Sequence, residues 1–74
     1  MPLSPSTLRR LSSRFSTKGI YDVSDSFAIA ASCGARGDIF GREEWIDAAI
    51  KKLHGRGLPV PETIMTAYYR ELGC

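Results

Sequence analysis

The chain is poor in the side chains that hold metals and cofactors. Among its 74 residues it has two cysteines and one histidine, and no three potential ligands stand at metal-binding spacing. We therefore expect no metal and no cofactor. Two cysteines, Cys33 and the terminal Cys74, do not form a dense disulfide framework, which favours a reducing, cytoplasmic location.

Long apolar runs are also missing. No uninterrupted apolar segment approaches the ~20 residues of a membrane-spanning helix, and 24% of the residues are charged. At the same time, 43% of the residues are hydrophobic, which argues against a disordered chain. The composition predicts a small globular protein that makes no contact with a membrane.

No catalytic constellation is visible. Cys33 and His54 are the one cysteine–histidine combination, but Cys33 lies near the C-terminal end of a predicted helix, where the helix dipole opposes a thiolate. Glu43 and Glu44 are neighbours, so on a helix they point about 100° apart and do not share acid–base work. We expect no catalytic residues, no enzymatic activity and no small-molecule substrate.

Acidic residues are absent from the first 21 positions, which carry a charge of +4, whereas residues 22–74 carry −2. The basic, Ser/Arg-rich segment at residues 1–19 contains Arg9, Arg10, Arg14 and Lys18. The main interpretation of this segment is a plain solvated basic face, and the alternatives are a contact with a nucleic-acid backbone or with an acidic protein surface. The segment is also typical of a mitochondrial transit peptide, which leaves mitochondrial import as an alternative to the cytoplasm.

Strand patterns are missing as well, and the apolar spacing is helical. The sequence predicts an all-α fold, a single small domain over residues 1–74 with about four short helices, at approximately 5–15, 25–33, 42–54 and 61–72. Ser4 and Pro5 form the start signal of the first helix. The segment 17–23 is predicted to be an extended loop with Ile20 and Val23 buried.

The other helices differ in the clarity of their patterns. The second is apolar nearly all round, which predicts a buried, central helix that Gly34 ends. The third has a clean stripe that begins at Trp45, which we expect to anchor the core between the third and fourth helices, and Gly55 is its predicted stop. Pro61 is the predicted first residue of the fourth helix.

The turn CGARGDIFG, from Cys33 to Gly41, separates two of these helices. Its residues 34–37, Gly-Ala-Arg-Gly, resemble the short loop that RNA-binding KH domains lay against a nucleotide backbone, which would give Arg36 a role at a phosphate. The resemblance covers four residues, and the three-stranded sheet of a KH domain has no counterpart in the sequence. The main interpretation is a turn, in which Asp38 caps the following helix.

Elimination leaves binding to a macromolecule as the predicted function. We expect a non-enzymatic protein-binding module, such as an adaptor, a subunit or an inhibitor of a larger assembly, by analogy with phage-encoded inhibitors of host machinery. The partner is a protein or, in a homodimer, a second copy. The candidate partner-binding residues are Met65, Tyr69, Arg9, Arg10 and Arg14. In the competing interpretation, Met65 is an ordinary core residue and Tyr69 lies flat on the surface with its hydroxyl in water. The alternative is a nucleic-acid-binding regulator that uses Arg9, Arg10, Arg14, Lys18 and Arg36.

Overall fold

Four helices make up the regular structure of the residues that the structure describes. The computed structural model describes the backbone of residues 3–71 and the side chains of residues 3–67. The helices are α1 (Pro5–Thr17), α2 (Tyr21–Ala35), α3 (Ile39–Gly55) and α4 (Glu62–Glu71), and the described residues contain no strand. The predicted all-α fold with four helices is confirmed. The predicted end of the fourth helix, at residue 72, lies outside the described residues.

The helix α2 is the centre of the fold. It packs against α1 on one side and against α3 on the other, and the Cα positions extend over only 17 Å in the thinnest direction, compared with 31 and 28 Å in the others. Phe27 of α2 is fully buried and stacks on Phe15 of α1, with 5.7 Å between the ring centroids. Leu53 of α3 and Ile64 of α4 complete this core. The predicted central position of the second helix is therefore correct.

Serine hydroxyls join α1 to α2. The Ser12 hydroxyl donates to the Ser24 carbonyl at 2.9 Å, and the Ser24 hydroxyl donates to the Ser12 carbonyl at 2.8 Å. Each serine hydroxyl thus has a hydrogen-bond partner on the other helix. Because serine is small, the two helices can also approach closely. Ser24 is buried, so this reciprocal pair leaves no hydroxyl unsatisfied at the helix contact.

A second polar contact joins α2 to α3. The Lys52 ammonium donates to the Ser26 hydroxyl at 2.7 Å and to the Asp22 carbonyl at 3.3 Å. Just beyond α3, the Arg56 guanidinium donates to the Asp22 carboxylate at 2.8 Å. This hydrogen bond holds the pKa of Asp22 below its ordinary value of 3.8. The start of α2 is thus tied to the end of α3.

The first three helices end in the same way. Each end has a basic residue at the C-cap, followed by a glycine with positive φ: Gly19 at 77°, Gly37 at 79° and Gly57 at 71°. The next amide donates to the carbonyl five residues earlier, at 2.8 to 2.9 Å: Ile20 to Phe15, Asp38 to Cys33 and Leu58 to Leu53. These are three Schellman motifs.

The predicted helix stops were therefore wrong. Gly34 lies inside α2 and Gly55 is the last residue of α3, and neither has positive φ. A glycine can remain helical, and here a second glycine follows directly after each basic C-cap residue: Gly37 is three residues after Gly34, and Gly57 is two residues after Gly55. That second glycine makes the left-handed turn, so α2 continues past Gly34 to Ala35, and α3 includes Gly55 as its last residue.

The predicted starts of the second and third helices were wrong by four and three residues. Residues 17–23 are not an extended loop, because Gly19 reverses the chain and α2 begins at Tyr21. Val23 is buried, as predicted, but on a helix, while Ile20 is half-buried. The third helix begins at Ile39 instead of residue 42, because the Asp38 carboxylate accepts from the Gly41 amide at 2.9 Å and caps it there.

The prediction for Trp45 also needs correction. Trp45 is half-buried at the edge of the core, whereas Phe27 is its largest fully buried side chain. A flat layer of helices buries the residues of its central helix and leaves those of the flanking helices partly open.

The fourth helix begins at Glu62, one residue after the predicted Pro61, which is buried.

Candidate functional site

Several large apolar side chains are exposed. Among the described residues they are Tyr21, Ile29, Ile39, Phe40 and Met65. Phe40 is the extreme case, with 86% of its surface open to solvent, and its neighbour Ile39 is 59% exposed. Single exposed apolar residues are ordinary, but two in succession at one turn form a small apolar surface.

The turn that presents Ile39 and Phe40 is well fixed. Gly37 makes the left-handed bend, and the Asp38 amide donates to the Cys33 carbonyl at 2.8 Å. The Asp38 side chain then caps α3, which places both apolar residues on the first turn of a helix. Their backbone is therefore held by hydrogen bonds on both sides.

Phe40 was not among the predicted site residues. The signal was present in the sequence, since Phe40 lies on the opposite side of a helix from the stripe that begins at Trp45. A large apolar residue on the wrong face of an amphipathic helix is either a helix-start residue or an exposed contact residue. Because the third helix was predicted to start at residue 42, Phe40 was placed in the turn instead.

The likeness of residues 34–37 to a KH loop does not extend to the structure. Gly34 and Ala35 belong to α2, so no loop begins there. The Arg36 amide donates to the Ser32 and Cys33 carbonyls, and the Gly37 amide donates to the Gly34 carbonyl. These amides are engaged within the helix end and do not point freely at a phosphate. Any nucleic-acid contact here would depend on the exposed Arg36 side chain alone.

The basic side chains of the first helix lie on the surface. Arg9, Arg10 and Arg14 are all exposed on α1, which has no acid in its sequence, and no ion pair engages them within the part of the chain that the structure describes. Lys18 lies at the end of α1, with its ammonium 5.9 Å from the centre of the Phe15 ring. At about 100° per residue, these groups cover about half of the circumference of α1, and we call this surface the basic face.

Arg36 lies beside only one end of the basic face. A Cβ built on Gly34 would lie 3.5 Å from Pro5, so the end of α2 is next to the start of α1. Arg36 is consequently at the opposite end of α1 from Lys18, roughly 20 Å away along a helix of 13 residues. The five residues of the nucleic-acid hypothesis are spread along the molecule.

Two open grooves run beside α1. The first has a volume of about 300 Å³ and lies between the end of α1 and the link that leads to α4, with Arg14, Lys18 and Glu62 among its lining residues. The second has a volume of about 260 Å³, and Arg10, Arg14 and Thr63 contribute to its walls. Arg14 lines both grooves. The start of α4 is therefore close to the basic face.

Of the two residues predicted on the fourth helix, the structure describes only one side chain. Met65 is 42% exposed, while Ile64 beside it is fully buried. The Tyr69 side chain lies outside the described residues. Met65 belongs to the surface of α4, and its role in binding a partner stays a prediction.

Cys33 and His54 are far apart. The Cys33 thiol is buried beside Gly41 at the start of α3, whereas His54 is exposed at the end of that helix, about 20 Å away. In the part of the chain that the structure describes, no three His, Cys, Asp or Glu side chains converge on one point where a metal ion would fit. None of the described helices combines the length and apolar character needed to cross a membrane.

Comparison of the chain with protein-family models, with curated proteins and with solved structures finds no match. The function is therefore inferred from the geometry of the surface. The two surfaces that stand out are the apolar turn at Ile39 and Phe40 and the basic face of α1.

Proposed function

We propose that the chain is a protein-binding module of the cytoplasm that docks a partner protein at the apolar turn formed by Ile39 and Phe40. The observation that carries this proposal is the 86% exposure of Phe40 on a turn fixed by Gly37 and Asp38. Burying a phenylalanine side chain in a partner gains about 2–3 kcal/mol. Aromatic anchors of this kind dominate the affinity of many protein interfaces.

The rigidity of the turn supports the same proposal. Binding costs less when the contact residues are already ordered, and the backbone around Ile39 is held by the cap and by the Schellman motif. A partner with an apolar pocket of aromatic size fits this surface. In that role the chain is an adaptor, a subunit or an inhibitor of a larger assembly.

A photo-crosslinking amino acid at position 40 tests the proposal. The same amino acid at Ser13, an exposed position on α1, serves as the control. We expect a discrete crosslinked protein in lysate of the source organism from position 40 and none from position 13. Excess unlabelled wild-type chain should compete the product away, whereas excess Phe40→Ser chain should not. Equal labelling from both positions, or equal competition by both chains, would contradict a docking role for Phe40.

A second candidate function is nucleic-acid binding by α1. The observation in its favour is the exposure of Arg9, Arg10 and Arg14 on a helix without acids. Cations that neutralise phosphates release counterions, so binding of this kind falls steeply with salt. The apolar turn at Phe40 has no part in this function, which makes the two candidates separable by mutation.

Oligonucleotide binding tests the second candidate. Duplex and single-stranded oligonucleotides are titrated at about 50 and about 200 mM salt with the wild type, with Phe40→Ser and with the triple variant Arg9→Gln, Arg10→Gln, Arg14→Gln. Salt-sensitive binding that only the triple variant loses would favour the nucleic-acid function. Absence of binding at the lower salt concentration would eliminate it and leave protein binding in place.

A further inference from the structure

The outward face of α2 is free of charge over most of its length. No charged residue occurs between Asp25 and Arg36. The exposed positions within that interval are Ala28, Ile29, Ser32 and Ala35. The solvent face of a surface helix ordinarily carries charged and polar residues. On α2 this face instead carries uncharged residues, most of which are small.

The neighbouring contacts show where this face points. Ser24 faces α1, since it exchanges hydrogen bonds with Ser12, and Ser26 faces α3, since it accepts from Lys52. Phe27 points into the core between them. At about 100° per residue, Asp25 and Ile29 are on the side opposite Phe27. The uncharged stripe therefore runs along the middle of one broad face of the flat molecule.

Opposite charges mark the two ends of this stripe. Asp25 and Arg36 are eleven residues apart, which is three helical turns within about 20°, so they share the stripe's face at a separation of roughly 16 Å. Both are exposed, and neither takes part in an ion pair among the described residues, although the Arg36 guanidinium donates a weak hydrogen bond to the Cys33 Sγ at 3.5 Å. Arg36 is still helical, as the C-cap of α2.

We propose that this face binds a second copy of the chain, with the two α2 helices antiparallel across a twofold axis. The charges select this occupant. In an antiparallel pair, Asp25 of each copy lies opposite Arg36 of the other when the axis passes at the level of Ala30 and Ala31. A twofold interface must be self-complementary, and a helix face with one acid and one base at equal distances from its centre meets that condition.

In the same register, the side chains between the two charges are complementary in size. It places Ile29 of each copy opposite Ser32 of the other, a large residue against a small one. Ala28 and Ala35 flank this contact and allow the helix backbones to come close. Because the register follows from the two charges alone, this fit is an independent point in favour of the second copy.

The area of this face determines the affinity that we expect for the dimer. A helix of 15 residues is about 22 Å long, so the stripe and its margins bury a few hundred Å² per copy, below the ~800 Å² of a standard interface. We expect a weak dimer, with a Kd of about 10 to 500 µM. Self-association is therefore measured up to about 1 mM chain, by sedimentation equilibrium.

Charge reversal provides the decisive test. Asp25→Arg alone and Arg36→Asp alone each place like charges opposite one another twice in the dimer, and each should weaken self-association about tenfold or more. The double variant Asp25→Arg, Arg36→Asp restores both pairs with the signs exchanged, and should dimerise within about threefold of wild type. Circular dichroism checks that each variant keeps its helix content.

A second pair of variants tests the apolar part of the face. Ile29→Lys puts a charge at the centre of the stripe and should abolish dimerisation while the chain stays folded, since Ile29 is already 38% exposed. Ser13→Lys introduces the same charge on the exposed face of α1 and should leave the dimer intact.

The outcomes separate this proposal from the one for the apolar turn. A wild-type chain that is monomeric at about 1 mM overturns the α2 dimer, as does a double charge-reversal variant that fails to recover. Loss of self-association in Phe40→Ser but not in Ile29→Lys would also overturn it, by placing the contact at the turn. None of these results affects crosslinking of a different protein at position 40.

Discussion

Phe27 and Phe40 show how differently two residues of one type are used in this small chain. Phe27 is fully buried on α2 and stacks on Phe15, whereas Phe40 is 86% exposed on the first turn of α3. Burial of Phe27 stabilises the fold, and exposure of Phe40 leaves its apolar surface available for a partner. The same substitution at both sites therefore separates stability from binding.

Replacement of each phenylalanine by alanine should have effects of very different size on stability. Phe27→Ala should lower the free energy of unfolding by about 3–5 kcal/mol, because it leaves a cavity and removes the stack with Phe15. Phe40→Ala should change it by less than about 0.5 kcal/mol. Urea denaturation followed by circular dichroism measures both. A Phe40 variant as unstable as the Phe27 variant would show that Phe40 is part of the core.

A second matched pair tests the ends of the helices. Gly57 has a φ of 71° in the turn after α3, so Gly57→Ala should destabilise the chain by about 1 kcal/mol. Gly55 lies within α3 and a Cβ there would meet nothing within 4 Å. Gly55→Ala should therefore be neutral or stabilise by up to about 1 kcal/mol. Melting temperatures compare the two, and the reverse order would make Gly55 the left-handed residue.

The sequence alone was sufficient to predict how many secondary-structure elements the chain has and that they are helices. Helical spacing of apolar residues such as Leu8, Leu11 and Phe15 depends only on local geometry, and the structure buries all three. The Asp38 cap was predicted from a side chain and the helix that follows it. These features need no knowledge of how the helices pack.

The helix boundaries needed more than local patterns. Tyr21 and Val23 favour strands, but no strand is available to pair with them, and the Schellman turn at Gly19 starts α2 at once. The second helix was expected to be buried all round because of its composition. The flat arrangement instead leaves Ala28 and Ile29 open, and only the position of the neighbouring helices shows this.

The ion pair between α2 and the end of α3 predicts a pH dependence. Arg56 lowers the pKa of Asp22 in the folded chain, so the stabilisation is fully present above the ordinary carboxyl pKa of 3.8. It is lost as the pH falls below that value and through the lowered pKa of the folded state. Arg56→Gln should therefore melt at a lower temperature than wild type at neutral pH, and this difference should shrink as the pH falls.

Melting temperatures of the two chains from about pH 2.5 to pH 7 measure this effect. Lys51→Gln is a suitable control, since its exposed pair with Asp47 at 3.1 Å lies within one helix and does not join two elements. A constant difference between wild type and Arg56→Gln across the whole range would show that Arg56 acts without Asp22.

The whole molecule has one core to which all four helices contribute. Leu8, Phe27, Leu53 and Ile64 come from α1, α2, α3 and α4 in turn, and each is fully buried. A chain with one shared core should unfold in a single cooperative transition. Urea curves from far-ultraviolet circular dichroism and from Trp45 fluorescence should coincide. A separate earlier transition in either signal would indicate that one helix detaches before the rest.

The surfaces proposed for binding differ in how readily the sequence reveals them. The arginines of α1 could be found in the sequence, because a charge run is visible without a fold. The exposure of Phe40 and the uncharged stripe on α2 could not, because both follow from which faces the other helices cover. Sequence reasoning finds candidate charges more readily than candidate apolar contacts, since an apolar residue is core or interface depending on its neighbours.

The three Schellman motifs also determine how the chain responds to proteases. Trypsin cleaves after lysine and arginine, and it binds its substrates as extended strands. Lys18, Arg36 and Arg56, the basic residues nearest the helix junctions, are each held in a helical conformation directly before a left-handed glycine. Cleavage after them requires the turn to open first. The rate of trypsin digestion at these three bonds therefore reports the free energy of opening each turn, so one digestion time course ranks the local stabilities of the three helix junctions.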